Sequence, residues 1–116
     1  MAAVAKNASA PQPANKAVHF TRARRTAILK ALADPRRFEL LERIARARCP
    51  LDCSQAGAAL PISAATLSHH VKELEAAGLI HIRREGKFHF LTLKPGVLEA
   101  LSAILAALEQ SPCPGR

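Results

Sequence analysis

Aromatic side chains are scarce in this chain: its 116 residues include four phenylalanines and neither tryptophan nor tyrosine. With 49% hydrophobic residues but only 3% aromatic ones, a core has to be assembled mostly from Leu, Ile, Val and Ala. The three cysteines do not make a structural disulfide set in a reducing compartment. No apolar run has the length of a membrane span, and the first residues lack the apolar stretch of a signal peptide, which places the protein in the cytoplasm. A Gly-rich phosphate loop is missing, as are an H-E-x-x-H pair and a nucleophile set beside a base, so an enzyme is the weakest functional class. Acidic residues are also few: 9 Asp plus Glu face 17 Lys plus Arg, for a formal net charge of +8. A chain of this length is one domain, and one this basic favours a polyanion, either nucleic acid or an acidic membrane surface. Charge alone does not choose between them.

The N-terminal residues 1–17 are rich in Ala, Asn, Pro and Lys without periodicity and read as a disordered arm; the ordered part spans 18–110, with a flexible tail at 111–116. A helix is predicted to start near Phe20 or Thr21, with Phe20, Ala27, Ile28, Ala31 and Leu32 on one side and Arg22, Arg24, Arg25 and Lys30 outside. Asp34-Pro35 marks the next helix start, Asp as N-cap and Pro at the first helical position. That helix runs to about Arg46 and is expected to bury Phe38, Leu41, Ile44 and Ala45, with Glu39–Arg43 and Glu42–Arg46 as i,i+4 pairs outside. Cys49–Cys53 reads as a loop.

Ser54–Gly78 is the most informative stretch. A short helix, Ser54–Leu60, is stopped by Pro61, and Ser63 is a good N-cap for the next one. Leu67, Val71 and Leu74 then form a narrow apolar stripe at i, i+4, i+7. Thr66, Ser68, His69 and Lys72 fall on the other side, no acidic residue intervenes before Glu73, and Gly78 closes the helix. A helix anchored on one side, with short hydrogen-bonding groups and a cation on the other, suits base edges and phosphates. A solvated surface helix is the plainer reading. After Gly78 the pattern alternates: Leu79–Arg84 and Lys87–Leu93 are β-rich, with Glu85-Gly86 as a turn signal. The tip cations Arg83, Arg84 and Lys87 make this hairpin a DNA-touching wing, or else a plain cover for the core. The last helix, about Pro95–Gln110, is apolar nearly all round and needs a second surface, supplied by a second copy of the chain or else by its own domain wrapping it fully.

Helix, helix, helix-turn-helix, wing and terminal helix, in that order, resemble the ArsR/SmtB family over about Arg25–Leu108. LKALADPRRFELLERI (Leu29–Ile44), ISAATLSHHVKELEAAGLI (Ile62–Ile80) and RREGKFHFLTL (Arg83–Leu93) carry the likeness. The resemblance implies a mainly α fold with a small β-hairpin wing, a winged helix-turn-helix dimerising through its terminal helices. It further implies a homodimeric repressor that occupies an inverted-repeat operator in double-stranded DNA and lets go when an inducer binds. Carried over residue by residue, it places Ser63, Ala65, Thr66, Ser68 and His69 at base edges. Lys72, and with it Arg83, Arg84 and Lys87 of the wing, falls on phosphates. His70, on the flank of the stripe, is a packing histidine or a contact, and Arg36 and Arg37 read as solvated. A non-specific architectural DNA binder is the alternative, and a winged helix that binds only protein is a third reading.

Many members of that family sense metals through a Cys-x-Cys-type motif or through Asp, His and Glu on the last helix. The last helix here has no His or Asp, and Glu99 and Glu109 alone make no transition-metal site. The pair Cys49-x-x-x-Cys53 is wider than the family's, and two thiolates need a further ligand, for which His19 or Cys113 is available. Asp52 and Gln55 read as a capping box that puts Cys53 at the first helical position. There the helix dipole, Arg46 and Arg48 favour the thiolate while Asp52 opposes it. Three roles stay open for Cys49 and Cys53: loop fillers, a redox switch releasing the DNA, or a metal or metalloid site. No cofactor is certain.

Overall fold

The computed structural model describes residues 20–47 and 49–110. The arm at 1–17, the tail at 111–116, and with them His19, Arg48 and Cys113, lie outside the described residues. Helix α1 (Arg22–Leu32) begins where the Thr21 hydroxyl accepts the Arg24 N–H, and it buries Ile28 and Ala31. Helix α2 (Pro35–Arg46) begins as its sequence requires: the Asp34 carboxylate accepts the N–H groups of Arg36 and Arg37, and Pro35 stands where a helix has no use for a donor.

The Cys49–Cys53 segment is not wholly a loop. Leu51–Asp52 forms strand β1, Leu51 opposite Leu91 and Asp52 opposite Phe90. Helix α3 (Cys53–Gly57) and helix α4 (Ala64–Ala76) follow, then strands β2 (Ile80–Glu85) and β3 (Phe88–Leu93). The sheet is antiparallel in the order β1-β3-β2, so β1 covers part of an edge of β3 that a bare hairpin would leave unpaired. Helix α3 is shorter than the sequence suggested, the chain leaving it in tight turns at Ala58 and Leu60. The capping box is also absent: Asp52 makes no bond to the backbone of α3, and its carboxylate accepts the Ser54 hydroxyl instead.

Thr21–Lys94 forms one compact unit, and among the described residues no phenylalanine is buried in its core. Its six fully buried large side chains, Ile28, Leu40, Leu74, Leu79, Ile80 and Leu91, are all Leu or Ile. Each such side chain contributes about 1.5–3 kcal/mol of transfer free energy. The inward arc of α2 differs from the one expected. Leu40, Leu41 and Ile44 are buried, whereas Phe38 is 45% exposed and Ala45 lies outside. Arg37 rather than Phe38 turns inward, because carbonyls at the end of α1 await its guanidinium. Glu39 pairs with Arg36 at 2.7 Å, not with Arg43. Arg43 instead donates to the Ala56 and Gln55 carbonyls at 2.7 and 3.0 Å, pinning α3 to α2, while Glu42–Arg46 forms as expected at 3.5 Å.

Helix α5 (Val97–Glu109) belongs to a second unit, which also takes in Phe20. Val97 and Leu101 are buried, while Leu105 is 49% and Leu108 71% exposed, leaving a continuous apolar side along the helix.

Candidate nucleic-acid interface

The Ser63 hydroxyl caps α4, accepting the Thr66 N–H at 3.1 Å and donating to the Thr66 hydroxyl at 3.0 Å. Ser63 is thereby occupied locally, and Thr66 keeps its own hydroxyl hydrogen for an outside acceptor. His70, Val71 and Leu74 hold α4 to the core; Ala65, Thr66, Ser68, His69 and Lys72 are exposed, and Leu67 is half-buried. Helix α3 crosses beneath so closely that a Cβ on Gly57 would collide with the Leu67 side chain. The far end is a Schellman turn. The Leu79 N–H bonds to the Leu74 carbonyl and the Gly78 N–H to that of Glu75, with Gly78 at φ +80°. That reversal sends Leu79 and Ile80 into the core and starts β2 directly behind α4.

The wing turns at Gly86–Lys87, one residue later than expected, with Glu85 opposite Phe88. Its cations are exposed but not bare. Arg83 bonds Glu85 at 2.9 Å with its guanidinium 5.1 Å above the Phe90 ring, and Arg84 reaches Glu75 of α4 at 3.6 Å. Lys87 rests 5.7 Å from the centre of the Phe88 ring. Such exposed ion pairs are worth about 0–1 kcal/mol, so they yield readily to a phosphate. A cleft of about 320 Å³ separates α4 from the wing, with Ala64, Leu67 and Ser68 on one side, Lys87, Phe88 and His89 on the other, and Asp52, Cys53 and Ser54 at its base. His89 was not among the sequence-derived candidates. Its register opposite Arg84 was the signal, but only the folded hairpin brings it to the Ser68 side.

The sequence left the role of the two cysteines open. Cys49 is exposed; Cys53 opens α3 half-buried, and burial together with the Asp52 carboxylate pushes its thiol up. The favourable dipole is thus outweighed, and a stabilised Cys53 thiolate does not follow. Among the described residues no group of three His, Cys, Asp or Glu side chains is placed to hold a metal ion. His70 is a packing histidine, 6% exposed, and Arg37 is not solvated, since it bonds the Ala31 carbonyl at 2.8 Å and lies 3.4 Å from the His70 ring. Arg36 remains outside, paired with Glu39.

A helix-turn-helix whose second helix shows a small polar face, followed at once by a cation-bearing hairpin, defines a winged helix-turn-helix DNA-binding protein. Known proteins agree. The profile of a helix-turn-helix domain matches residues 32–83. An uncharacterised HTH-type transcriptional regulator of Bacillus subtilis, YceK, is 31% identical over 85 residues, covering 66% of this chain and 85% of the relative. An ArsR family transcriptional regulator superposes with a TM-score of 0.70 at 24% identity, over 80% of this chain and 94% of that one. A homodimeric winged helix-turn-helix domain from Mycobacterium bovis, Mb0332, a possible ArsR-family regulator, gives 0.58 at 22% identity, over 76% and 80%. The chain belongs to the helix-turn-helix transcriptional regulators, and its fold is that of the ArsR/SmtB type. This is a family of DNA-binding regulators rather than of enzymes. No helix among the described residues is long and apolar enough to cross a membrane.

Proposed function

We propose that the protein is a homodimeric repressor that reads an inverted-repeat operator in double-stranded DNA. One observation carries the reading: the exposed N-terminal half of α4 presents Ala65, Thr66, Ser68 and His69 on a helix whose opposite side is sealed in the core. Those four, with Ser63 at the leading edge, face the bases, while Lys72 and the wing cations Arg83, Arg84 and Lys87 hold phosphates on either side. Dimerisation uses the exposed apolar side of α5, where Leu105 is 49% and Leu108 71% exposed, and the homodimeric Mycobacterium bovis domain supports this. Two α4 helices then stand about 34 Å apart, facing successive major grooves. Release by an oxidant, metal or metalloid at Cys49 and Cys53 finds less support, because burial and Asp52 hold the Cys53 thiol protonated. A non-specific architectural binder shares the wing cations but has no use for the ordered small polar face of α4.

Selection of bound duplexes from a random library, with the protein reduced and metal-free, tests the reading. An inverted repeat, with preference eroded by Ser68→Ala or His69→Ala, is the expected result. No enriched sequence, or a DNA-bound monomer by light scattering, overturns it.

A further inference from the structure

His70 is buried in the middle of α4, on the helix taken above to read DNA. An imidazole removed from water keeps its place through a hydrogen-bond partner. The partner is Arg37, whose guanidinium lies 3.4 Å from His70 Nδ1. Arginine has no acceptor, so this contact has one chemical form: Arg37 donates, Nδ1 accepts, and the ring hydrogen sits on Nε2. Arg37 is itself held by the end of α1 and by the cap of its own helix. Its Nε donates to the Ala31 carbonyl at 2.8 Å and a terminal nitrogen reaches the Lys30 carbonyl at 3.4 Å, both in the last turn of α1. In a continuing helix the Ala31 carbonyl would pair with the N–H of residue 35, which is proline and has none. The Asp34 carboxylate that caps α2 lies 3.9 Å from the same guanidinium.

We propose that Arg37 is a positioning residue that sets the angle of α4 on α1 and α2, acting through the neutral imidazole of His70. The proposal rests on the reading of α4 as the DNA-recognition helix. Burial of Val71 and Leu74 draws α4 onto the core without direction, whereas the Arg37–His70 bond has a single geometry and fixes the tilt. It also gives DNA binding a pH dependence. Burial pushes the His70 imidazole below the usual histidine range; Asp34 pulls it up, Arg37 and His69 push it further down, and Glu73 opposes them. These are the charged groups the ring meets from α4, from α2 and from the turn before it. Protonation removes the acceptor and sets two cations against each other. The neutral ring is the folded form, so its contribution is complete above the ordinary histidine range and is lost as pH falls through the lowered value.

The test is the affinity for a selected operator duplex, read by fluorescence anisotropy from about pH 7.5 down to 5.5, either side of the ordinary histidine value. Circular dichroism at each pH restricts the comparison to conditions where the chain is folded. His70→Asn puts an amide oxygen near the position of Nδ1 without a titrating group, and Arg37→Lys keeps the charge but not the fork. Across that range wild type loses about fivefold or more in affinity relative to His70→Asn, the lower end of typical coupling between sites. Every other histidine is common to both proteins, so the difference isolates His70. Arg37→Lys weakens binding already at neutral pH, and its profile flattens like that of His70→Asn. Parallel profiles for wild type and His70→Asn, with sequence preference still dependent on Ser68, overturn the positioning role and leave the reading of α4 intact. A sequence preference indifferent to Ser68 and His69 overturns the reading, and the positioning role with it.

Discussion

Replacing Lys87 by glutamine removes one cation from the tip of the wing and disturbs little else. The side chain is exposed, and among the described residues no acidic group forms an ion pair with it. Its contact with the Phe88 ring, at 5.7 Å, is of the exposed cation–π kind, worth about 0.5–1 kcal/mol, which bounds the expected loss of folding stability. The effect on DNA binding is larger and of a different kind. Each lost phosphate contact lowers the slope of log affinity against log salt by about 0.9, hence by about 1.8 for a dimer that uses both wings. Over a fourfold rise in salt, that slope difference makes wild type lose about 12-fold more affinity than the variant. Anisotropy titrations of one selected duplex across a salt series measure both slopes. Sequence preference stays unchanged, because Lys87 touches no base in this reading. Identical slopes for the two proteins would refute the assignment of the wing tip to a phosphate. Arg83→Gln should lower the slope less, since Glu85 at 2.9 Å already offsets part of its charge.

Further outcomes follow from the fold and from the cysteines. Leu74→Ala empties a fully buried site at the base of α4 and should cost about 2–5 kcal/mol in chemical denaturation; a smaller loss would mean that the site collapses around it. Gly78→Ala forces a side chain to φ +80° with its Cβ 2.5 Å from the Arg24 guanidinium, for an expected loss of roughly 1–2 kcal/mol from the backbone alone. An unchanged denaturation midpoint would refute the strain argument. Cys53 should alkylate more slowly than Cys49 near neutral pH and catch up only at higher pH, because burial and Asp52 keep its thiol protonated. Peptide mapping by mass spectrometry follows each cysteine separately, and equal rates at neutral pH would contradict the burial of Cys53.

The elements whose signals are local were legible without coordinates. Asp34-Pro35 and Ser63 carry their own capping chemistry, and Gly78 carries the only backbone that turns α4 back into the core. The alternation after it marks the wing. The outward set Thr66, Ser68, His69 and Lys72 likewise follows from helical period alone. The composition also implied a core made mostly of Leu, Ile, Val and Ala, because aromatic residues are so few. What was misjudged depends on partners distant in the chain. Arg37 displaced Phe38 from the inner arc because the end of α1 offered carbonyls that a helical period does not register. Arg43 left Glu39 for the backbone of α3, and Leu51–Asp52 became a strand because β3 presented a free edge. At Cys53, whose role the sequence left open, desolvation works against the thiolate, and desolvation is a property of the folded chain. Periodicity and caps encode which side of each helix is wet and where it stops, because those depend on near neighbours in sequence. Which buried polar group meets which partner was decided by tertiary structure alone, since only folding brings Arg37 and His70 within hydrogen-bonding distance.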